Sequence, residues 1–380
     1  MRKIFLIGFL AIIGNGVLSN LFAQELDVVD IGKVFNKNIP LNLSEIATGI
    51  DYIPLEFTED CALGDIYNIL IHGDNILLLS EKQVYLFDRQ GKFKQQIGRI
   101  GEGPGEYRWA RDIFIHPDRN SIFVLDITGM QILEYNFKGT FLNTIKLARR
   151  QYSEQLFLID DQFFMVSTRP PNDGDFIYSM DRNGSYLKGL PVTVEARESA
   201  LHGGFQESVG VMFADDYFDL ATAWNDTIFR FTHSGEKLAL YRLDYGKYKY
   251  PLEGEKGSLS RQPPKPGYAF QHWRAITKNY LFITSQDGRN LKLQVYDREL
   301  KQIIHSSNIQ DEANGGIRND LDGGPGIGFI PSYQKNWGHD VIKCHSAIDM
   351  IEEFDSEQLK TIVGQLSEED NPVVQIIHLK

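Results

Sequence analysis

Residues 84–97, VYLFDRQGKFKQQI, decide the fold. A short β-branched and aromatic run meets Asp-Arg-Gln-Gly, and a second run alternates away from it. That is the pattern of two antiparallel strands joined by a tight turn. The pattern recurs at 131–145 (QILEYNFKGTFLNTI), 176–190 (FIYSMDRNGSYLKGL) and 227–243 (TIFRFTHSGEKLALYRL), and once more at 291–304 (LKLQVYDRELKQII), where the glycine is lost. Gly91, Gly139, Gly184 and Gly235 stand where such turns need a positive φ.

Ahead of each hairpin lie two more apolar runs. The nearer set is 75–80, 121–126, 162–167, 217–222 and 279–285, and the farther set is 66–71, 112–116, 155–159, 208–213 and 273–277. Five units of four strands therefore run from Gly64 to Ser306, with a period of about 40 to 60 residues that points to propeller blades. A sixth unit is assembled from both ends. Strands are expected at 340–346 and 372–379, and the leftover strand at 50–57 pairs with them. Such pairing covers both open edges. The expected fold is all-β: a six-bladed propeller of four-stranded blades, closed by the N-terminal strand. Between the last two strands, Ala347–Leu366 spaces Ile348, Ile351, Ile362, Val363 and Leu366 at helical intervals, predicting one helix or two short ones packed on the flank or rim.

The N-terminus carries Arg2 and Lys3, an apolar run from Ile4 to Leu18, and Leu21-Phe-Ala23. That order is a secretory signal cleaved after Ala23, leaving residues 24–380 as one exported domain, periplasmic or extracellular, with no membrane-spanning segment. A membrane anchor fits less well, because Gly14, Asn15, Gly16 and Asn20 interrupt the run. Cys61 and Cys344 are the only cysteines; they are either one disulfide or two buried thiols. With a formal charge of −12 and no basic stripe, nucleic acid is not an expected partner.

Residues 97–109, IGRIGEGPGEYRW, hold four glycines and a proline in a span of eight residues. A phosphate-binding loop opens a helix, whereas a strand follows here, and no Lys-Ser/Thr completes a P-loop. The stretch reads as the crossover from one blade to the next, where a reversing backbone needs glycine. Every long connection falls on the crossover face: 191–207, 244–271, 308–338 and the 347–366 insertion. Ligand binding is expected there. Tyr107, Trp109, Trp224, Tyr245, Tyr248, Tyr250, Tyr268, Trp273, Tyr333 and Trp337 lie in or beside these loops, where rings stack on sugars, anchor peptides or pack between blades.

Asp320 and Asp322 have the two-residue spacing of a calcium loop, but the closing Glu is missing, so an Asx-turn is the plainer reading. The nine histidines form no HExxH pattern, and no Gly-X-Ser-X-Gly elbow occurs. No metal or other cofactor is expected. The candidate ligand-binding set is Glu102, Glu106, Tyr107, Trp109, Trp224, Asp320, Asp322 and Trp337. The expected protein is a monomer without catalytic activity that binds a carbohydrate, peptide or protein. The alternative is a lyase, lactonase or glycan hydrolase using rim carboxylates and a divalent metal in the axial channel.

The stretch 93–126, with Gly98, GEGPGEY at 101–107 and IFVLD at 122–126, resembles the NHL repeat. Together with YIPLE at 52–56, FDRQGKF at 87–93, NDLDGG at 319–324 and NPV at 371–373, it makes the chain similar to the bacterial secreted six-bladed β-propeller proteins of unknown function. That resemblance implies the fold and export. It implies no reaction.

Overall fold

The computed structural model describes residues 26–116, 118–148, 155–159, 161–166, 175–191, 209–214, 217–222, 225–232, 237–250, 265–309, 316–328, 330–331, 337–342 and 344–380. Residues 1–23, read above as a secretory signal, and Trp224, Tyr333 and the turn at Gly235 lie outside them.

The strands form five four-stranded sheets and one five-stranded sheet. In chain order, sheet I spans Ile66–Gln96, sheet II Ala110–Lys146, sheet III Gln155–Pro191, sheet IV Val209–Asp244 and sheet V Phe270–Asn308. Each of these is a meander of antiparallel strands, and the hairpin at 84–97 is the outer half of sheet I. Sheet VI joins the ends of the chain. Its outer strand Ala47–Pro54 runs antiparallel to Val373–Leu379, which pairs in turn with Trp337–Ile342 and Ile330–Pro331. The structure is an all-β propeller of four-stranded blades with few helices.

The second strand of a sheet is covered on both faces, which is why 76–80 and 121–126 are buried throughout. Inter-sheet packing follows the chain. Leu77 and Leu79 meet Ile113 and Val124 between sheets I and II. Phe123 and Leu125 meet Phe163 and Met165 between sheets II and III. Phe157 and Ile177 meet Leu220 and Phe231 between sheets III and IV. Ile53, Val374 and Ile376 of sheet VI share a cluster with Ile76, Leu78 and Tyr85 of sheet I.

The hairpin turns are built as the sequence indicates. Asp88 Oδ1 accepts from the N–H of Gln90 and of Lys92, each at 2.9 Å. Gly91 takes φ +85°, and a Cβ there would lie 2.0 Å from the Pro54 carbonyl oxygen. The turn of sheet V, which lacks the glycine, uses Lys301 at φ +53° instead.

One expectation is corrected. The strand expected at 340–346 ends at Ile342, and Cys344–Asp349 is helical. The insertion is that helix, a 3-10 turn at Ile351–Glu353, and a helix at Glu357–Val363 capped by Ser356, whose hydroxyl accepts from Leu359 N–H at 3.2 Å. Its apolar residues Ala347, Phe354, Leu359 and Val363 pack on Tyr52 and Val373, against the flank of sheet VI.

The sequence reading missed the arm at 26–46. Asp27–Asp30 adds a parallel fifth strand to Lys237–Asp244 of sheet IV. The chain then crosses sheet V, where Ile39 bridges Ser306 and Lys292 Nζ donates to the Phe35 carbonyl at 2.9 Å. Val29, Ile31 and Phe35 fill the gap between sheets IV and V, and Leu41, Leu43 and Ile46 that between sheets V and VI.

Cys61 and Cys344 are both free and buried. Asn371 lies between them. Its side-chain amide donates to the Cys61 carbonyl at 2.8 Å, and its own carbonyl accepts from Cys344 Sγ at 3.0 Å. Burial pushes the Cys61 thiol up to about 12.

Candidate functional site

In a meander blade the turns between strands one and two and between strands three and four share one end. The turns between strands two and three share the other end with the crossovers. The first strands of three sheets begin, at that crossover end, with the same irregularity. The ladder skips one residue between Ile66 and Asn68, between Ala110 and Asp112, and between Gln271 and Trp273. A bulge of this kind turns one side chain out of the ladder and recurs beside binding sites. In sheet I the bulged residue is Tyr67, 57% exposed; in sheet II it is Arg111.

Just past the bulges, the first strands are stitched together. Asp112 Oδ1 accepts from Asn68 Nδ2 at 2.9 Å and Oδ2 from Leu156 N–H at 2.8 Å, so one carboxyl links sheets I, II and III. Burial raises its pKa to about 6, against the opposing pull of these two bonds. Neither Asn68 nor Asp112 was among the sequence candidates. The available signal was a polar residue set into an apolar first strand, IYNILI and ARDIFI.

The crossover 97–109 is a packed hinge. Gly98 takes φ +66°, and a Cβ there would lie 2.7 Å from the Tyr107 ring. Tyr107 is fully buried; its hydroxyl accepts from Val84 N–H at 3.1 Å and donates to the Ile97 carbonyl at 3.0 Å. Its place as a ligand contact is corrected accordingly: the side chain is a core residue. Glu106 accepts from Gly103 N–H at 2.8 Å and from Arg99 Nε at 2.6 Å, and these bonds hold its carboxyl below the usual range. Glu102 and Arg108 form an open ion pair at 2.9 Å, 75% and 50% exposed. Trp109 is 37% exposed, with Lys82 Nζ 4.5 Å from its ring centroid. Buried Asp126 fixes its backbone by accepting from the N–H groups of Arg108 and Trp109, each at 3.2 Å.

In the second candidate segment the part-buried Asp322 and the exposed Asp320 both bond to other parts of the chain. Asp322 accepts from Asn319 Nδ2 at 2.7 Å, Ser356 Oγ at 2.7 Å, Gly324 N–H at 3.1 Å and the Tyr52 hydroxyl at 3.2 Å. Asp320 accepts from Ser44 Oγ at 2.6 Å and Ser44 N–H at 2.8 Å, and these bonds hold its pKa low. The loop therefore ties the arm, the outer strand and the helical insertion of sheet VI together. The local turn anticipated for this stretch is seen at Asp322, which accepts from Gly324 N–H, whereas the Asp320 bonds run to the distant Ser44. Among the described residues no polar bond joins it to 97–109, and no three His, Cys, Asp or Glu side chains converge as a metal set. The side chain of Trp337 and all of Trp224 lie outside the described residues.

Residues 26–378, nearly the whole chain, match the model of the domain of unknown function DUF4934. The chain belongs to that family. Among solved structures, the DUF4934 chain is similar to a candidate exported protein of Bacteroides fragilis, with TM-score 0.73 and 17% identity over 93% of this chain and 99% of that one. It is also similar to a member of the duf4221 family from Bacteroides vulgatus, with TM-score 0.52 and 12% identity over 88% and 97% of the two chains. At such identities the likeness concerns the fold alone. No curated protein matches the sequence. No helix among the described residues is long and apolar enough to cross a membrane.

Proposed function

We propose that the mature chain from residue 24 is an exported, monomeric, six-bladed propeller without catalytic activity, which holds a carbohydrate, peptide or protein ligand on its crossover face. The ring reading is supported by the six sheets in succession and by the cluster joining sheet VI to sheet I, with strand 47–54 as the closing element. Export is supported by the composition of residues 1–23 and by the likeness to a candidate exported protein.

One observation carries the binding reading. Four large apolar side chains, Phe57, Tyr67, Ile100 and Trp109, are 37% to 57% exposed in or beside the crossovers that enter sheets I and II. The other exposed apolar side chains are spread along outer strands, the arm, one turn and the insertion. An apolar group kept in water within a rigid frame is a mark of a contact surface. Glu102, Glu106 and Trp109 stay in the candidate set.

The test is a glycan and peptide array probed with residues 24–380, with and without EDTA, followed by hydrogen-exchange footprinting of any hit. Protection of 55–67 and 97–109 is expected. Protection of the opposite turns instead, around 72–75 and 88–92, would reject the face.

A second reading, the propeller lyase, lactonase or glycan hydrolase, is favoured by Asp112 alone, whose raised pKa suits proton transfer near neutrality. It requires an activity on oligosaccharides or lactones that Asp112→Asn abolishes in a folded protein.

A further inference from the structure

We propose that Tyr67, Trp109 and the Glu102–Arg108 pair form a subsite for a neutral pyranose unit of a glycan. This rests on the crossover face being the ligand face and names both the ligand class and the place.

The backbones that carry the two rings are both tied to one two-residue turn. Glu81 N–H donates to the Asp65 carbonyl at 3.0 Å, and the Lys82 carbonyl accepts from Ala110 N–H at 3.1 Å. The turn 81–82 is therefore bonded on one side to the chain entering Tyr67 and on the other to the chain leaving Trp109. Both aromatic residues are pre-set. The bulge takes Tyr67 out of its ladder, while Asp126 fixes the backbone of Trp109 and Lys82 sits over its ring.

The chemistry around the rings selects the ligand. A pyranose offers C–H faces that stack on aromatic faces and a rim of hydroxyls that both donate and accept. Glu102 and Arg108, 2.9 Å apart and open to solvent, present an acceptor beside several donors, which suits neighbouring hydroxyls of one ring. An apolar peptide anchor needs a continuous apolar groove, whereas charged side chains attend Trp109: Lys82 lies against its ring, and the Glu102–Arg108 pair flanks it in the chain. Neutrality follows from charge. Locally Glu81 and Glu102 are offset by Lys82 and Arg108, while the chain as a whole carries −12, so nothing here draws in an acidic sugar and the long-range field opposes it.

The experiment is isothermal titration of residues 24–380 with maltohexaose, cellohexaose and mannohexaose, and with hexagalacturonate as the acidic comparison. The variants are Tyr67→Ala, Trp109→Ala and Tyr67→Phe, each accepted only with a wild-type melting curve. Binding of one neutral hexaose is expected, weakened about tenfold by either alanine variant and retained by Tyr67→Phe, since one stacked ring contributes on the order of 1 kcal/mol. No neutral binding, tighter hexagalacturonate binding, or neutral binding indifferent to both alanine variants would each overturn the subsite. Ligand binding that footprints elsewhere on the crossover face would leave the broader reading standing while removing this one.

Discussion

Asn68 and Asp112 occupy equivalent places in adjacent first strands, and the amide of one donates to the carboxyl of the other at 2.9 Å. The bond spans neighbouring sheets at the level where both ladders slip by one residue. It is the polar counterpart of the apolar clusters that hold the same sheets together farther out.

Asp112 should make stability depend on pH. Its folded pKa, about 6, lies above the ordinary aspartate value of 3.8, so the folded state holds the proton more tightly. The stabilising contribution is complete below about pH 4 and is lost as pH rises through about 6. Urea denaturation of the wild type and Asp112→Asn between pH 4 and pH 8 reads this directly. The difference in stability between them should move against the wild type as pH rises, and a flat difference would dismiss the assignment.

Tyr107 should behave as a core residue. Removing its hydroxyl in Tyr107→Phe leaves Val84 N–H and the Ile97 carbonyl without that partner, for a loss of about 1–3 kcal/mol. Tyr107→Ala, which also opens a cavity, should lose about 3–5 kcal/mol. Chemical denaturation gives both numbers. A near-neutral alanine variant would mean that the crossover is not packed as described.

The two cysteines should be silent in the native protein. With Sγ buried and the Cys61 thiol pushed up to about 12, almost no thiolate is present at pH 8. Ellman's reagent should find no fast-reacting thiol in buffer and both thiols in guanidinium. Failure to find two thiols after denaturation without reductant would reveal a disulfide.

Deleting residues 24–58 should cost the whole fold, since this segment supplies the partner of Val373–Leu379 and the apolar plugs at Val29, Ile31, Phe35 and Leu43. Size-exclusion chromatography and melting curves check it. A soluble monomer that melts like the intact chain contradicts it.

Much of the architecture was readable because each blade repeats its own instructions. Apolar runs, an Asp or Asn turn and a glycine recur at intervals, and Asp88, Asn136 and Asp181 all spend a side-chain oxygen on the turn N–H groups. The arm was not readable, because four residues pairing in parallel with a strand more than two hundred positions away leave no local period. The site was read less well than the fold. Burial of Tyr107 depends on its fit against Val84 and Ile97, and the roles of Asp320 and Asp322 depend on Ser44 and Ser356. Only Ile97 lies in the same stretch; the other partners are more than twenty positions away. Tyr67 was hidden for a different reason: a one-residue slip in a ladder sets its direction, and composition carries no trace of it.

The arm and outer strand also bear on when the molecule can exist. Asp27 lies opposite Tyr241, and Ala47 opposite Leu379. The earliest of the described residues thus wait for partners synthesised much later, and the last pairing is with the strand Val373–Leu379. Such long closures are slow, and no shorter piece of the chain contains them all. The pairing of Ala47–Pro54 with Val373–Leu379 cannot form until the chain is nearly finished, and a product broken off early lacks the strand that its own beginning requires.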